Sequence, residues 1–192
     1  MGTFEEILES VKKKINTVHV VEIDEIPSIE LYMDQVTTFM DQVLSEYKRT
    51  PDGKILTKTM INNYTKAKIF PPPVKKKYGR MHLMLLIMIF HLKSVLSIRD
   101  IGILFQPILC CPTPELMERQ TEKVYGGFVE LQKINLAHLK ASSEGRSEGS
   151  LFEREILSRY EDNMKSLMLV LLLSIRANSD KNLAERVLDL YL

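Results

Sequence analysis

One stretch limits what this chain can become: Met81–Val95, MHLMLLIMIFHLKSV, where apolar residues fall on nearly every side of a helix. A helix that is hydrophobic all round has no solvent face, so it is a buried helix and the rest of the chain must enclose it. Its apolar run, Met81–Leu92, is about a dozen residues long and carries two histidines, short of the roughly 20 apolar residues of a membrane span. A second apolar run, Leu167–Ile175, is shorter still. The N-terminal MGTFEEILESVKKK has early acids and no continuous apolar region, so it does not read as a signal peptide. The only cysteines, Cys110 and Cys111, are adjacent and make no disulfide framework, which fits a reducing compartment. These features lead to the expectation of a soluble, cytoplasmic protein.

The elements around that helix are expected to be helical as well. Thr3 and Glu6 have capping-box spacing ahead of Phe4, Ile7, Leu8, Val11 and Ile15. Val18–Ile26 reads as an extended linker lying against the core. Ser28 is placed to cap a helix over residues 29–47, whose apolar face is Leu31, Val36, Phe39, Met40, Val43 and Leu44. Pro51-Asp52-Gly53 makes a turn, Thr57 opens a short helix, and Pro71 is expected to stop it. Ser97 and Asp100 start another helix with Ile98, Ile101, Leu104 and Phe105 inward. Pro107, Pro112 and Pro114 punctuate a boundary, and Thr113 caps a long helix reaching about Lys140, interrupted or kinked at Gly126-Gly127. Residues 141–149, ASSEGRSEG, read as a flexible linker. Ser150 with Glu153 restarts a helix to about Ala177, Asn178-Ser179 turns the chain, and Leu183, Val187, Leu188 and Leu190 face inward in a last short helix. The expected fold is mainly all-α, with at most a small two-stranded wing. It divides into residues 1–108, a winged helix-turn-helix with an N-terminal extension, and 109–192, a helical bundle.

Charge is distributed unevenly along the sequence. Residues 1–53 hold 11 acids and 5 bases, residues 54–99 hold 10 bases and no acid, and residues 100–192 hold 14 acids and 11 bases. The central segment therefore reads as a surface for a polyanion. Within it, Met60, Ile61, Tyr64 and Ala67 should face the core, leaving Thr59, Asn62, Asn63 and Lys66 on the opposite face. Asparagine can pair bidentately with adenine, while lysine and threonine suit phosphates. Free N–H groups near Lys58 and Thr59 add a phosphate-binding feature. The stiff PPPVKKKYGR that follows would display Lys75, Lys76, Lys77 and Arg80 along a backbone. A solvated helix face and a solvated lysine loop are the bland alternatives.

Helix, double proline, basic loop, apolar helix and then Leu96-Ser97-Ile98-Arg99-Asp100-Ile101 resemble the winged helix-turn-helix of MerR-type transcriptional regulators. Ile61, Tyr64, Ile69, Pro71 and Pro72 match that family's helix and turn. Tyr78 and Arg80 resemble its wing, and Ser97, Ile98 and Ile101 its second helix pair. The chain departs at Asn62 and Asn63, where MerR-type proteins usually have an arginine and a tyrosine, and at Val95, where they have glycine. The chain up to about Ile108 also resembles an uncharacterised bacterial family defined only as a domain of unknown function. Its members share LYMDQVT, LTKTMINNY and PPPVKKKY. The resemblance implies a cytosolic bacterial protein with a DNA-binding domain.

Catalysis is not expected. His19, His82, His91 and His138 show no metal-ligand spacing within one element, and Gly126-Gly127 lacks the third glycine of a phosphate cradle. His82 reads as a phosphate contact beside Arg80 or a packed residue, and His91 as a satisfied core histidine. Cys110 and Cys111 read as small buried hydrophobes, with a thiol sensor or a soft-metal ligand pair as the alternatives. No cofactor or metal is expected. The apolar Leu167–Ile175 needs cover from a four-helix arrangement with residues 1–16 and 114–140, or from a second copy of the chain. A homodimer through the C-terminal helices is expected, since regulators reading two half-sites are commonly dimers. Tyr160, Met164 and Met168 are candidate lining for an apolar effector, against the plainer reading of a methionine-rich core. The functional expectation is a sequence-specific double-stranded DNA-binding regulator. The alternatives are an all-helical module that binds an acidic protein without touching DNA, and an effector sensor without direct DNA contact.

Overall fold

The computed structural model describes residues 3–50, 52–143, 160 and 162–191. Among these, the elements in order are α1 (Phe4–Thr17), β1 (Leu31–Tyr32), α2 (Met33–Val43), α3 (Lys58–Lys66), β2 (Lys77–Tyr78), α4 (Arg80–Lys93), α5 (Ile98–Leu109), α6 (Pro114–Ser143) and α7 (Asp162–Tyr191). Single 3-10 turns lie at Ile23–Glu25 and Ser45–Tyr47. The protein is mainly helical, as its sequence indicates.

The all-apolar helix α4 lies at the centre. Ten of its fourteen residues are buried, and each fully buried Leu, Ile or Met contributes roughly 1.5–3 kcal/mol relative to exposure. Helices α5, α6 and α7 pack around it, and α1 closes over α6 and α7. The apolar side of α7, with Met168 and Leu171 fully buried, is thus covered within one chain by α1, α4 and α6. A single cluster of buried apolar side chains runs from Val21 to Ile175 and crosses position 108 without a break.

Several local signals act as their chemistry dictates. Thr3 and Glu6 close a capping box on α1, with Thr3 N–H donating to Glu6 Oε2 at 2.7 Å. Thr57 caps α3 through Met60 N–H, Ser97 caps α5 through Asp100 N–H, and Thr113 caps α6 through Leu116 N–H. Residues 18–22 run extended into the 3-10 turn, and Tyr125 Oη anchors them by donating to the Val21 carbonyl at 2.9 Å.

Other expectations need correction. Helix α2 begins at Met33 rather than after Ser28, because Leu31 and Tyr32 pair with Tyr78 and Lys77 in an antiparallel ladder. Gln35 Oε1 then accepts from Tyr32 N–H at 2.8 Å and fixes the true start. Helix α3 ends at Lys66, before Pro71 can act. Lys68 adopts a left-handed φ of 57°, and Ile69 N–H reaches back to the Tyr64 carbonyl at 3.1 Å, a Schellman-type stop. Pro107 sits inside α5, which continues to Leu109. Helix α6 runs through Gly126-Gly127 as one helix. A Cβ on Gly127 would lie 2.5 Å from Tyr160 Oη and 2.8 Å from Met168 Sδ, so this glycine admits α7 at close range. Asn178-Ser179 is likewise no turn: Asn178 is buried in the middle of α7, and Leu188, expected inside, is exposed. Cys110 is exposed rather than buried. Residues 141–143 of the expected linker are helical; its remainder and the restart at Ser150 and Glu153 lie outside the described residues, as does Pro51 of the expected turn.

Candidate nucleic-acid interface

Helix α3 is two-sided. Ile61 and Tyr64 are buried at 0% and 3% relative exposure, and Met60 is partly covered. Lys58, Thr59, Asn62, Asn63 and Lys66 are all exposed on the other face. Ala67, expected inward, is exposed because the chain turns left-handed at Lys68 immediately beyond it. The Thr57 side chain satisfies Met60 N–H, leaving the amides of Lys58 and Thr59 at the open end. Burial pushes the Tyr64 phenol up to about 12, and its hydroxyl has no hydrogen-bond partner.

The basic loop folds back as a two-residue hairpin turn. Val74 and Lys77 exchange both backbone hydrogen bonds, at 2.9 and 3.1 Å, with Lys75 and Lys76 at the tip. Both tip residues have positive φ, 50° and 65°. Asn-Gly is the usual solution for such a turn, since β-carbons crowd the backbone there. With Lys68, all three non-glycine residues at positive φ among the described residues are lysines in the acid-free segment. Lys75 and Lys76 are exposed. Lys77 is half-buried: its Nζ lies 3.6 Å from Glu30 Oε2 and 5.7 Å from the centroid of the Tyr32 ring.

Two of the proposed contact residues are placed otherwise than expected. Arg80 turns inward: its guanidinium donates to the Ile23 carbonyl, and its Nε is buried without a partner. It joins β2 and α4 to the extended segment and is not displayed beside the lysines. Lys58 stays exposed but forms an ion pair with Asp34 of α2. The segment that holds no acid in sequence thus borrows two carboxylates, Asp34 and Glu30, from its neighbours. The only signal for this was the proximity of α2 and β1, which sequence spacing does not carry.

Two of the four histidines, His82 and His91, are packing residues. His82 is buried in an aromatic cluster, its ring centroid 5.4 Å from Phe70 and 5.5 Å from Tyr78. Its Nδ1 accepts from Gly79 N–H at 3.2 Å and caps α4, with Nε2 3.4 Å from the Pro72 carbonyl. Burial lowers its pKa, partly opposed by that carbonyl, and the ring packs in the interior rather than standing at the surface beside the lysines. His91 is deeper still. Burial lowers it to about 3, and its ring nitrogens lie 3.3 Å from the Gln132 and Asn178 amides, while Ser94 Oγ donates to Asn178 Oδ1 at 2.6 Å. This buried network was not legible in the sequence, because Gln132 and Asn178 lie 41 and 87 positions from His91. His19 pairs with Glu25 at 2.9 Å, and His138 is exposed.

Among the described residues no group of three or more His, Cys, Asp and Glu could hold a metal ion, and no helix is long and apolar enough to cross a membrane. Met164 and Met168 are buried packing residues, Met168 against Gly127. Residues 21–128 match the model of a family described as Domain of unknown function (DUF1836). No curated protein and no solved structure matches the chain.

Proposed function

The chain belongs to the DUF1836 family, and we propose that it is a sequence-specific double-stranded DNA-binding protein, a transcriptional regulator. In this reading α2 and α3 act as a helix-turn-helix and residues 71–78 as a wing, in the manner of MerR-type proteins. The observation that carries it is the pairing of two surfaces. One is the exposed face Thr59, Asn62, Asn63 and Lys66 of α3. The other is a hairpin tip where lysine occupies both positions of unfavourable φ. A non-glycine residue in left-handed backbone costs on the order of 1 kcal/mol. Lysines there sacrifice stability, and charge presented at a tip is the property gained in return.

Roles then follow from chemistry. Asn62, Asn63 and Thr59 read base edges in the major groove. Lys66, Lys75 and Lys76 neutralise phosphates, and Lys58 does so by exchanging Asp34 for the backbone. Lys77 steadies the wing through Glu30 and Tyr32. Arg80 is withdrawn from the contact set on the geometry above.

Selection of bound duplexes from a random pool tests this. The expected result is an enriched motif, palindromic if two copies bind as a homodimer. Asn63→Ala should then relax discrimination at one base pair by about 1–3 kcal/mol, while Lys76→Ala weakens all sequences alike. Absence of any salt-dependent affinity for duplex DNA at low ionic strength would end the proposal. Retention of an acidic protein in its place, lost on reversing the charge of Lys75 and Lys76, would favour an interaction module.

A further inference from the structure

A cleft of about 310 Å³ lies between α1, the residues that follow α2, and the C-terminal half of α7. It has no part in the reading above. Five cations line it, Lys13, Lys14, Lys48, Arg49 and Arg186, against three carboxylates, Glu46, Glu185 and Asp189.

The carboxylates are already engaged. Asp189 accepts from Arg49 at 2.7 and 3.1 Å. Glu185 is met by Lys181 at 3.4 Å and by Arg49 at 3.9 Å. Glu46 Oε2 lies 4.0 Å from Lys14, whose ammonium donates to the Glu46 carbonyl. Lys48 is turned to Asp41, outside the cleft, at 3.2 Å.

What remains is positive. Lys13 is exposed and has no carboxylate within 4.0 Å among the described residues. Arg186 Nε donates to Ser10 Oγ at 3.1 Å and likewise takes no carboxylate at that distance. Lys14 has its pKa lowered by burial, opposed by Glu46 and reinforced by the neighbouring Arg186. Cations of α1 and α7 thus meet here with Glu46 beside Lys14 and Asp189 near Arg186, and the cleft still holds more positive side chains than negative ones.

We propose that this cleft binds a small phosphate-bearing anion through Lys13, Lys14 and Arg186, with the Ser10 and Thr17 hydroxyls beside them. Cations approaching from two helices suit a dianion with three acceptor oxygens better than a planar monocarboxylate. The volume is near the lower end of ligand pockets, roughly 300 Å³, which admits a phosphate group with a modest organic body. The site joins the end of α7 to Glu46–Arg49, the residues leading toward α3. It is independent of whether α3 contacts DNA.

The test is calorimetric titration of the full chain with inorganic phosphate, pyrophosphate and a nucleoside monophosphate, at ionic strength held constant with sodium chloride. Saturable binding of at least one probe is expected. Lys13→Gln with Arg186→Gln should weaken it at least tenfold, and Asp189→Asn, which releases Arg49, should tighten it. Circular dichroism verifies that each variant keeps its helices. If the Arg186 variant does not, Lys13→Gln alone, at an exposed side chain with no carboxylate within 4.0 Å among the described residues, must still weaken binding. No saturable heat from any probe at millimolar concentration, or wild-type affinity in the lysine variant, overturns the proposal.

Discussion

Replacing Lys75 by Asn and Lys76 by Gly should make the protein more stable and a worse DNA binder at once. Both residues sit at positive φ, 50° and 65°, and each left-handed lysine costs roughly 1 kcal/mol or somewhat more. Asn-Gly is the preferred pair for a two-residue hairpin with this backbone. The double variant should therefore gain about 1–2 kcal/mol, which for a domain of this size raises Tm by roughly 2–4 °C per kcal/mol. The side chains removed are exposed, so no packing is lost. If both ammonium groups neutralise phosphates, the slope of log K against log salt should flatten by about 1.8, and affinity at 0.15 M salt should fall roughly thirtyfold. Differential scanning calorimetry gives the first quantity and fluorescence anisotropy across a salt series the second. A raised Tm with unchanged slope would show that the tip does not touch DNA. A lowered Tm would refute the backbone argument itself.

The other predictions concern the interior. His91 is neutral and its folded pKa is depressed to about 3. The unfolded chain takes up a proton near pH 6.5 that the folded chain refuses, so stability is present above that pH. It should fall by about 1.4 kcal/mol per unit as pH drops toward 3; urea midpoints at pH 7 and pH 5 should show this, and His91→Gln should flatten the dependence. Gly127→Ala places a methyl against Tyr160 and Met168, and should cost about 1–3 kcal/mol by overpacking in thermal unfolding. Arg80→Met should destabilise by about 1.5–3 kcal/mol through loss of the bond to the Ile23 carbonyl. It should leave the salt slope of DNA binding unchanged; a flatter slope would return Arg80 to the interface.

The parts of the fold legible in sequence were those set by local chemistry. Thr3, Thr57, Ser97 and Thr113 cap helices because a hydroxyl at that offset meets an orphan amide whatever surrounds it. The burial of α4 followed from composition alone, and the two faces of α3 from periodicity. The misreadings came where a distant partner overruled a local signal. Ser28 could cap a helix, but Leu31 and Tyr32 are recruited into a ladder with residues near 78. Gly126-Gly127 and Asn178-Ser179 look like breaks, yet each is a place where one long helix meets another element, by close approach in the first case and by the His91 network in the second. At the candidate interface, lysines and asparagines were readable as exposed, whereas the inward turn of Arg80 depended on a carbonyl 57 positions away.

The ladder between β1 and β2 also bears on how the molecule comes to be folded. Leu31 and Tyr78 are 47 positions apart, with α2 and α3 strung between them. Closing a loop of that length costs entropy that two residue pairs cannot repay on their own. The ladder holds because Leu31 and Tyr78 sink into the same core that buries Ile61 and Tyr64 of α3. The ladder therefore depends on the core that α2 and α3 help to build. A nascent or partly unfolded chain still carries the full string of lysines, but lacks the closed ladder between Leu31–Tyr32 and Lys77–Tyr78. On the proposed DNA-binding reading, sequence discrimination would belong only to completed molecules, and the lysines of an immature chain would give at most a loose, salt-sensitive attraction for a polyanion.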